Sequence, residues 1–238
     1  TGETTAIISV APTATTTYTV TVTDGNTCEA TESIVITVFP TPADPTNPVN
    51  QDYCDGTTIP TLSVDDPGTA STISWWTTAT GGAPVTGANL TGASNEMITL
   101  SSSSAPPAPI AGNSVTIYAQ NDDNTSNCPS ANRVAVTLTN NTNPQISAVN
   151  PSVCTDETTT LQATVSGGTP TYNYTWTLIS GPEAITPFDN STTSTDEMPV
   201  FNATGATAGD YTVELMITDG NACMDTETIT ITVQDGPD

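Results

Sequence analysis

Five cysteines, 25 acidic side chains, three tryptophans and one arginine are the residues of this chain that could do chemistry. Arg133 is the lone cation, for there is no lysine and no histidine. That removes a Ser-His-Asp triad, an imidazole metal site, a Schiff base and a Lys–Asn cross-link at once. Hydrolysis by paired carboxylates needs two acids that converge in a cleft with separated pKa values. Only the abundance of acids speaks for that, so the chain reads as a non-enzyme. Thiol oxidation and cation binding by carboxylates remain.

The cysteines fall at repeating places. Cys54 and Cys128 are 74 positions apart, and Cys154 and Cys223 are 69 apart. The expectation is one disulfide within each of two units, Cys54–Cys128 and Cys154–Cys223, and so an oxidising, extracellular setting. Cys28 is left over, either paired upstream or free for an intermolecular bond. Zinc is disfavoured by the wide spacing and the lack of a CxxC. Among the acids, Asp24 and Asp219 lie in a repeated turn, with Asp225 nearby, and Asp122 and Asp123 lie in the matching loop between them. Carboxylates at the junctions of serial sandwiches can hold calcium, the one cofactor considered. No D-x-D-x-D-G loop is present, and the alternative is turn residues plus a solubilising surface. Arg133 reads as a structural strand arginine paired with local carboxylates. Trp76 and Trp176 each follow a cysteine by 22 positions and read as core. Trp75 then faces the other way and is the candidate glycan contact.

Strands must position these groups. Tyr211 to Val233 (YTVELMITDGNACMDTETITITV) reads as strand, tight turn, strand, with Tyr211, Val213, Leu215 and Ile217 alternating with other side chains. Asp219-Gly220-Asn221 supplies residues that tolerate positive φ in a hairpin turn. Tyr18 to Val38 (YTVTVTDGNTCEATESIVITV) repeats the pattern, with Cys28 and Cys223 195 positions apart. Duplication means tandem modules.

In chain order, residues 1–38 are expected to be the C-terminal half of a β-sandwich module whose remainder lies upstream or on another chain. Residues 39–50 are a proline-rich link. The second module spans 39–139 with this link included, and the third spans 140–238. Each has about the size of an immunoglobulin-like sandwich with a buried tryptophan. The expected fold class is all-β, tandem sandwiches in a rod.

The formal charge of −24 excludes nucleic acid as a partner, since no cations are present to neutralise phosphate, and argues against anionic membrane surfaces. No apolar run is long enough to insert in a membrane.

Residues 75–87 (WWTTATGGAPVTG), with Cys128-Pro129-Ser130 and Arg133-Val134-Ala135-Val136, resemble an immunoglobulin-like domain of very large secreted proteins of Bacteroidota. That family carries W-[YW]-x-x-A-x-GG and C-x-S-x-R-x-x-V patterns; here one extra residue separates Ser130 from Arg133. Residues 141–238, with GGTPTYNYTW and AGDYTVELMITDGNAC, resemble PKD-type domains of the same proteins. The resemblance implies a cell-surface adhesin, of the gliding-motility kind exported by the type IX system. The expected function is a stalk or filament segment whose partners are neighbouring modules or like subunits, with a surface glycan as a further candidate. The alternative is a non-catalytic spacer or carbohydrate-binding segment of a secreted polysaccharide-degrading enzyme.

Overall fold

In the third module the hairpin is the backbone of the fold. The computed structural model describes residue 2, residues 4–68 and residues 70–236. Thr1, Glu3, Thr69 and Pro237–Asp238, which the sequence units include, lie outside the described residues.

The chain begins with the hairpin of β1 (Thr16–Thr23) and β2 (Glu29–Ile36). The second module holds β3 (Thr46–Val49), β4 (Gln51–Cys54), β5 (Leu62–Asp65), β6 (Ser71–Trp76), β7 (Asn89–Thr91), β8 (Met97–Thr99), β9 (Asn113–Asp123) and β10 (Val134–Asn141). These form two sheets, ordered β4-β10-β9-β6 and β3-β5-β8-β7. Pro48 sits in β3, at a sheet edge, where a missing N–H does no harm. The third module holds β11 (Pro144–Ala148), β12 (Ser152–Cys154), β13 (Thr158–Thr160), β14 (Ala163–Gly167), β15 (Asn173–Ser180), β16 (Thr193–Ser194), β17 (Val200–Asn202), β18 (Gly209–Thr218) and β19 (Met224–Gln234). Its main sheet is β12-β19-β18-β15-β16, and the pairs β11-β14 and β13-β17 complete the module.

Each module has its own core. In the third, the inward residues of β18 and β19 meet Trp176, Leu161 and Phe201. The Tyr211 hydroxyl donates to the Thr207 carbonyl at 3.1 Å, tying the corner before β18 to its own strand. In the second, Leu62, Ile73, Trp75, Ile98, Ile117 and Leu138 close the space between the sheets.

Trp75, expected at the surface, is 3 % exposed and belongs to this core. Its Nε1–H donates to the Asn95 carbonyl, as that of Trp176 donates to the Asp196 carbonyl, both at 2.9 Å. Trp75, not Trp76, is therefore the counterpart of Trp176. The alternation through Ile73 and Trp75 sets the inward face of β6, and the chain between Cys54 and this strand is one residue shorter than in the third module.

Both modules share one topological device. β4 runs parallel to β10, with Cys54 opposite Asn141, and β12 runs parallel to β19, with Cys154 opposite Gln234. The first cysteine of each module is thereby carried to the end where its last strand finishes.

The β1-β2 hairpin matches β18-β19 in turn and register, with Tyr18 opposite Ile34 and Val213 opposite Ile229. Val20, Val22 and Ile34 are 58 %, 62 % and 63 % exposed, whereas their counterparts Leu215, Ile217 and Ile229 are buried. Among the described residues no second layer covers this face. An isolated two-stranded hairpin is marginal in water. In hydrogen exchange on the chain of this sequence, the amides of residues 16–36 are expected to exchange at least a hundredfold faster than the paired amides of β18 and β19. Equal protection would mean that the hairpin face is covered.

Candidate functional site

The structure places its distinctive chemistry where the second module meets the third. Cys54 is bonded to Cys223, with Cα atoms 5.4 Å apart and 169 positions between them in sequence. This overturns both expected intramodule bonds. Cys128, Cys154 and Cys28 are free thiols, Cys28 exposed and the other two half-buried.

Strand length explains the correction. Cys223 directly precedes the 11-residue β19, while Cys154 lies beside its last residue. At about 3.3 Å per residue these two sit roughly 36 Å apart. Cys128 lies in the turn that leads into β10, five residues intervening, while Cys54 lies opposite that strand's last residue. A disulfide tolerates a Cα separation of about 7 Å at most. The leading cysteine of each module therefore reaches only a neighbour's turn.

The turn that presents Cys223 is built by Asp219. Its Oδ1 accepts the N–H groups of Asn221 at 2.9 Å and Cys223 at 2.8 Å, and its Oδ2 accepts that of Thr169 at 2.8 Å. Gly168 is required beside it. Its φ is +65°, and a Cβ there would stand 2.8 Å from Asp219 Oδ2 and 3.0 Å from the Pro144 nitrogen.

Side-chain amides surround the disulfide. Asn221 Nδ2–H donates to Asn141 Oδ1 at 3.0 Å and to Thr169 Oγ1 at 2.9 Å. Asn143 Nδ2–H donates to the Asp55 carbonyl at 3.1 Å, and Asn141 Nδ2–H donates to Asp52 Oδ2 at 3.2 Å. The buried Asn140 donates to Asp55 Oδ1 and to the Pro109 carbonyl. Residues 140–143 thus act as a bolted hinge plate between two sandwiches. Carboxylates that would otherwise repel are each held by amide donors.

The expected calcium ligands are dispersed. Asp24 Oδ1 accepts the N–H groups of Asn26 and Cys28 in the first turn. Asp123 Oδ1 accepts the N–H groups of Ser126 and Thr125 and the Ser126 hydroxyl, which hold its carboxyl below the usual range. Asp122 lies in β9 opposite Thr72, and Asp225 Oδ2 accepts the Ile146 N–H at 3.0 Å. Among the described residues no three acidic or cysteine side chains gather as a metal cage. The carboxylates of Asp24, Asp123 and Asp219 serve the backbone of their turns, and that of Asp225 holds β11.

At the other end of the second module, Asp44 in the proline-rich link accepts the side-chain and backbone N–H groups of Asn132. Those bonds lower its pKa. Asn121 adds a bond to the Ala43 carbonyl. The link is docked, not loose.

Arg133 is structural, but its partners are not carboxylates. Nε donates to Gln120 Oε1 at 3.0 Å, and Nη1 donates to the carbonyls of Thr78 at 2.8 Å and Gly81 at 2.7 Å. The guanidinium lies 3.9 Å from the Trp76 ring centroid. One side chain therefore ties the Gly81-Gly82 turn to β9 and covers the outward tryptophan.

The comparisons with known proteins follow this geometry. Residues 147–233 match the family model described as K319L-like, PKD domain. The chain is similar to a three-domain titin structure (I67–I69) at 16 % identity and a TM-score of 0.44, covering 81 % of this chain and 66 % of that one. It is similar to the N-terminal eight immunoglobulin domains of the Down syndrome cell adhesion molecule at 18 % identity and a TM-score of 0.47, covering 93 % and 28 %. It is also similar to the insect immune protein hemolin at 12 % identity and a TM-score of 0.39, covering 92 % and 56 %. A search of curated proteins finds no match to the sequence.

Two outcomes are expected. Peptide mapping without reductant should recover Cys54 linked to Cys223 and three alkylatable thiols; a Cys54–Cys128 or Cys154–Cys223 peptide would contradict the junction. Arg133→Ala should destabilise the second module by about 2–3 kcal/mol in urea unfolding, from charged hydrogen bonds and the cation–π contact together. Arg133→Lys should recover only part, because an ammonium cannot reproduce the planar fork.

Proposed function

We propose that this chain is a load-bearing segment of a stalk or filament in a secreted cell-surface adhesin. The Cys54–Cys223 bond carries the reading, because it joins two modules that each already possess a core. A cross-link inside a module stabilises that module; one between modules sets their relative orientation. In the chain-entropy model a cross-link spanning 169 residues takes about 5 kcal/mol from the unfolded ensemble. In the folded chain it keeps the amide ladder at residues 140–143 and 221 engaged.

Immunoglobulin-like and PKD-like modules are non-catalytic structural or adhesive units, and a disulfide suits an extracellular protein. No helix among the described residues is long and apolar enough to cross a membrane. The acidic surface suits a polymer that must not clump with its copies, since like charges repel at close approach. The resemblance to giant Bacteroidota adhesins supports export by the type IX system. Partners in this reading are flanking modules, protein ligands at the distal end and, more remotely, surface glycans. Trp75 is no part of a glycan platform, being core. Calcium is not needed for stiffness in this reading, since turn carboxylates already receive N–H donors.

Small-angle scattering tests the mechanical part. The oxidised chain should be extended, with a maximum dimension unchanged by a calcium chelator and a distance distribution that broadens on reduction. A particle that compacts under the chelator but ignores reductant would reject it. Immunogold labelling of the source cells with antibody to the second module tests the location. Gold along surface projections is expected, and gold confined to the cell interior would reject the adhesin assignment.

A further inference from the structure

The five cysteines fall into two geometric classes, and the existing disulfide joins one of each. Cys54 and Cys154 are the leading class. Each ends a short strand lying parallel to the last strand of its module, opposite Asn141 and Gln234 respectively. In each, the next residue's N–H donates to that opposite carbonyl: Asp55 to Asn141 at 2.9 Å and Thr155 to Gln234 at 2.8 Å. In each, the cysteine carbonyl accepts the N–H three residues on, from Thr57 at 3.0 Å and Glu157 at 3.2 Å.

Cys28, Cys128 and Cys223 are the turn class. Each follows a residue of positive φ, Thr27 at 64°, Asn127 at 55° and Ala222 at 61°. Each carbonyl accepts the N–H of the aspartate that starts the turn: Asp24 at 2.9 Å, Asp123 at 3.1 Å and Asp219 at 2.9 Å. The turns of Cys28 and Cys223 also share the same carboxylate bonds to the cysteine N–H, at 2.9 and 2.8 Å.

We infer that Cys154 is the leading half of a second inter-module staple, closed by a turn-class cysteine of a module set head to tail on the third module. The existing bond gives the rule: leading cysteine of one module, turn cysteine of the module after it. By that rule Cys154 faces onward, while Cys28 and Cys128 face the modules ahead of theirs. The three free thiols are then not leftovers of failed intramodule pairing but open ends of a repeated joint. The chain itself carries the complementary partner, because Cys28 presents the same turn as Cys223 and is exposed.

The chemistry balances with a low-molecular-weight disulfide such as oxidised glutathione as oxidant. The thiolate of one cysteine displaces a glutathione thiolate from the disulfide, giving a mixed disulfide. The second cysteine's thiolate then attacks the protein sulfur and releases the other glutathione. Two protein thiols are oxidised by two electrons, one disulfide is reduced to two glutathiones, and the two thiol protons end on them.

The inference rests on the head-to-tail rod reading. The test uses the full chain at high concentration in a glutathione redox buffer, and in parallel two full chains fused in one polypeptide. Expected is a cross-linked peptide joining Cys154 to Cys28 of the following copy, with a reductant-sensitive ladder from the separate chains. Cys154→Ser should cut that cross-link at least tenfold and leave Cys54–Cys223 intact. A bond in both arms means that a second copy suffices; a bond only in the fused chain means that a flanking module of the same polypeptide is the source. Glutathione adducts alone in both arms, or only bonds within one class, overturn the inference. Scattering on the fused chain separates the failures. An extended particle with Cys154 unbridged defeats the staple alone, and a folded-back particle defeats the rod reading with it.

Discussion

The parallel pairing of each module's leading strand with its last strand constrains everything else. β4 beside β10 and β12 beside β19 carry the leading cysteine to the end where the module hands the chain on. The turn cysteine stays at the opposite end, before the last strand begins. Strand rise then forbids a bond within the module and favours one to the next. The covalent topology follows from the sheet topology, and a local repeat becomes a longitudinal joint.

The junction meets a second constraint, that of charge. A chain with 25 acids and one cation cannot join its modules by ion pairs. The interface uses neutral donors instead: asparagine amides and backbone N–H groups directed at carboxylates and carbonyls. Hydrogen bonds to charged acceptors are stronger than neutral ones, so each such aspartate is worth more here than its repulsion of distant neighbours in salt. Asp219 shows the economy of the device. One carboxylate closes the hairpin turn, orients Cys223 and holds Thr169 of the neighbouring turn in the same module. The single arginine goes where carbonyls converge, at the Gly81-Gly82 turn over Trp76.

Much of this was legible along the chain. Alternation marked the long strands near Ser114–Gln120, Arg133–Thr139, Tyr172–Trp176 and Tyr211–Val233, since a strand half-buried in a sandwich must alternate. The repeated Asp-Gly-Asn turn marked both hairpins. The burial of Trp75 was in reach as well. Ile73 and Trp75 share a face by period two, and this local rule outranks the count from a distant cysteine, because loops change length and strands do not change face. Short strands such as β5 and β7 carried too few residues to show a period.

From residue order alone come an all-β chain, a duplicated hairpin, a strongly acidic composition with one cation, and cysteines at repeating places. Those properties are local or compositional, and neighbours in sequence suffice to express them. The partner of each cysteine, the inward tryptophan of the second module and the acceptors of Arg133 were decided by tertiary structure. Each depends on which strand ends lie side by side in space. Cys54 and Cys223 are 169 positions apart in sequence yet 5.4 Å apart between Cα atoms. Parallel strand pairing and module stacking close that distance, and neither leaves a mark in the spacing of residues.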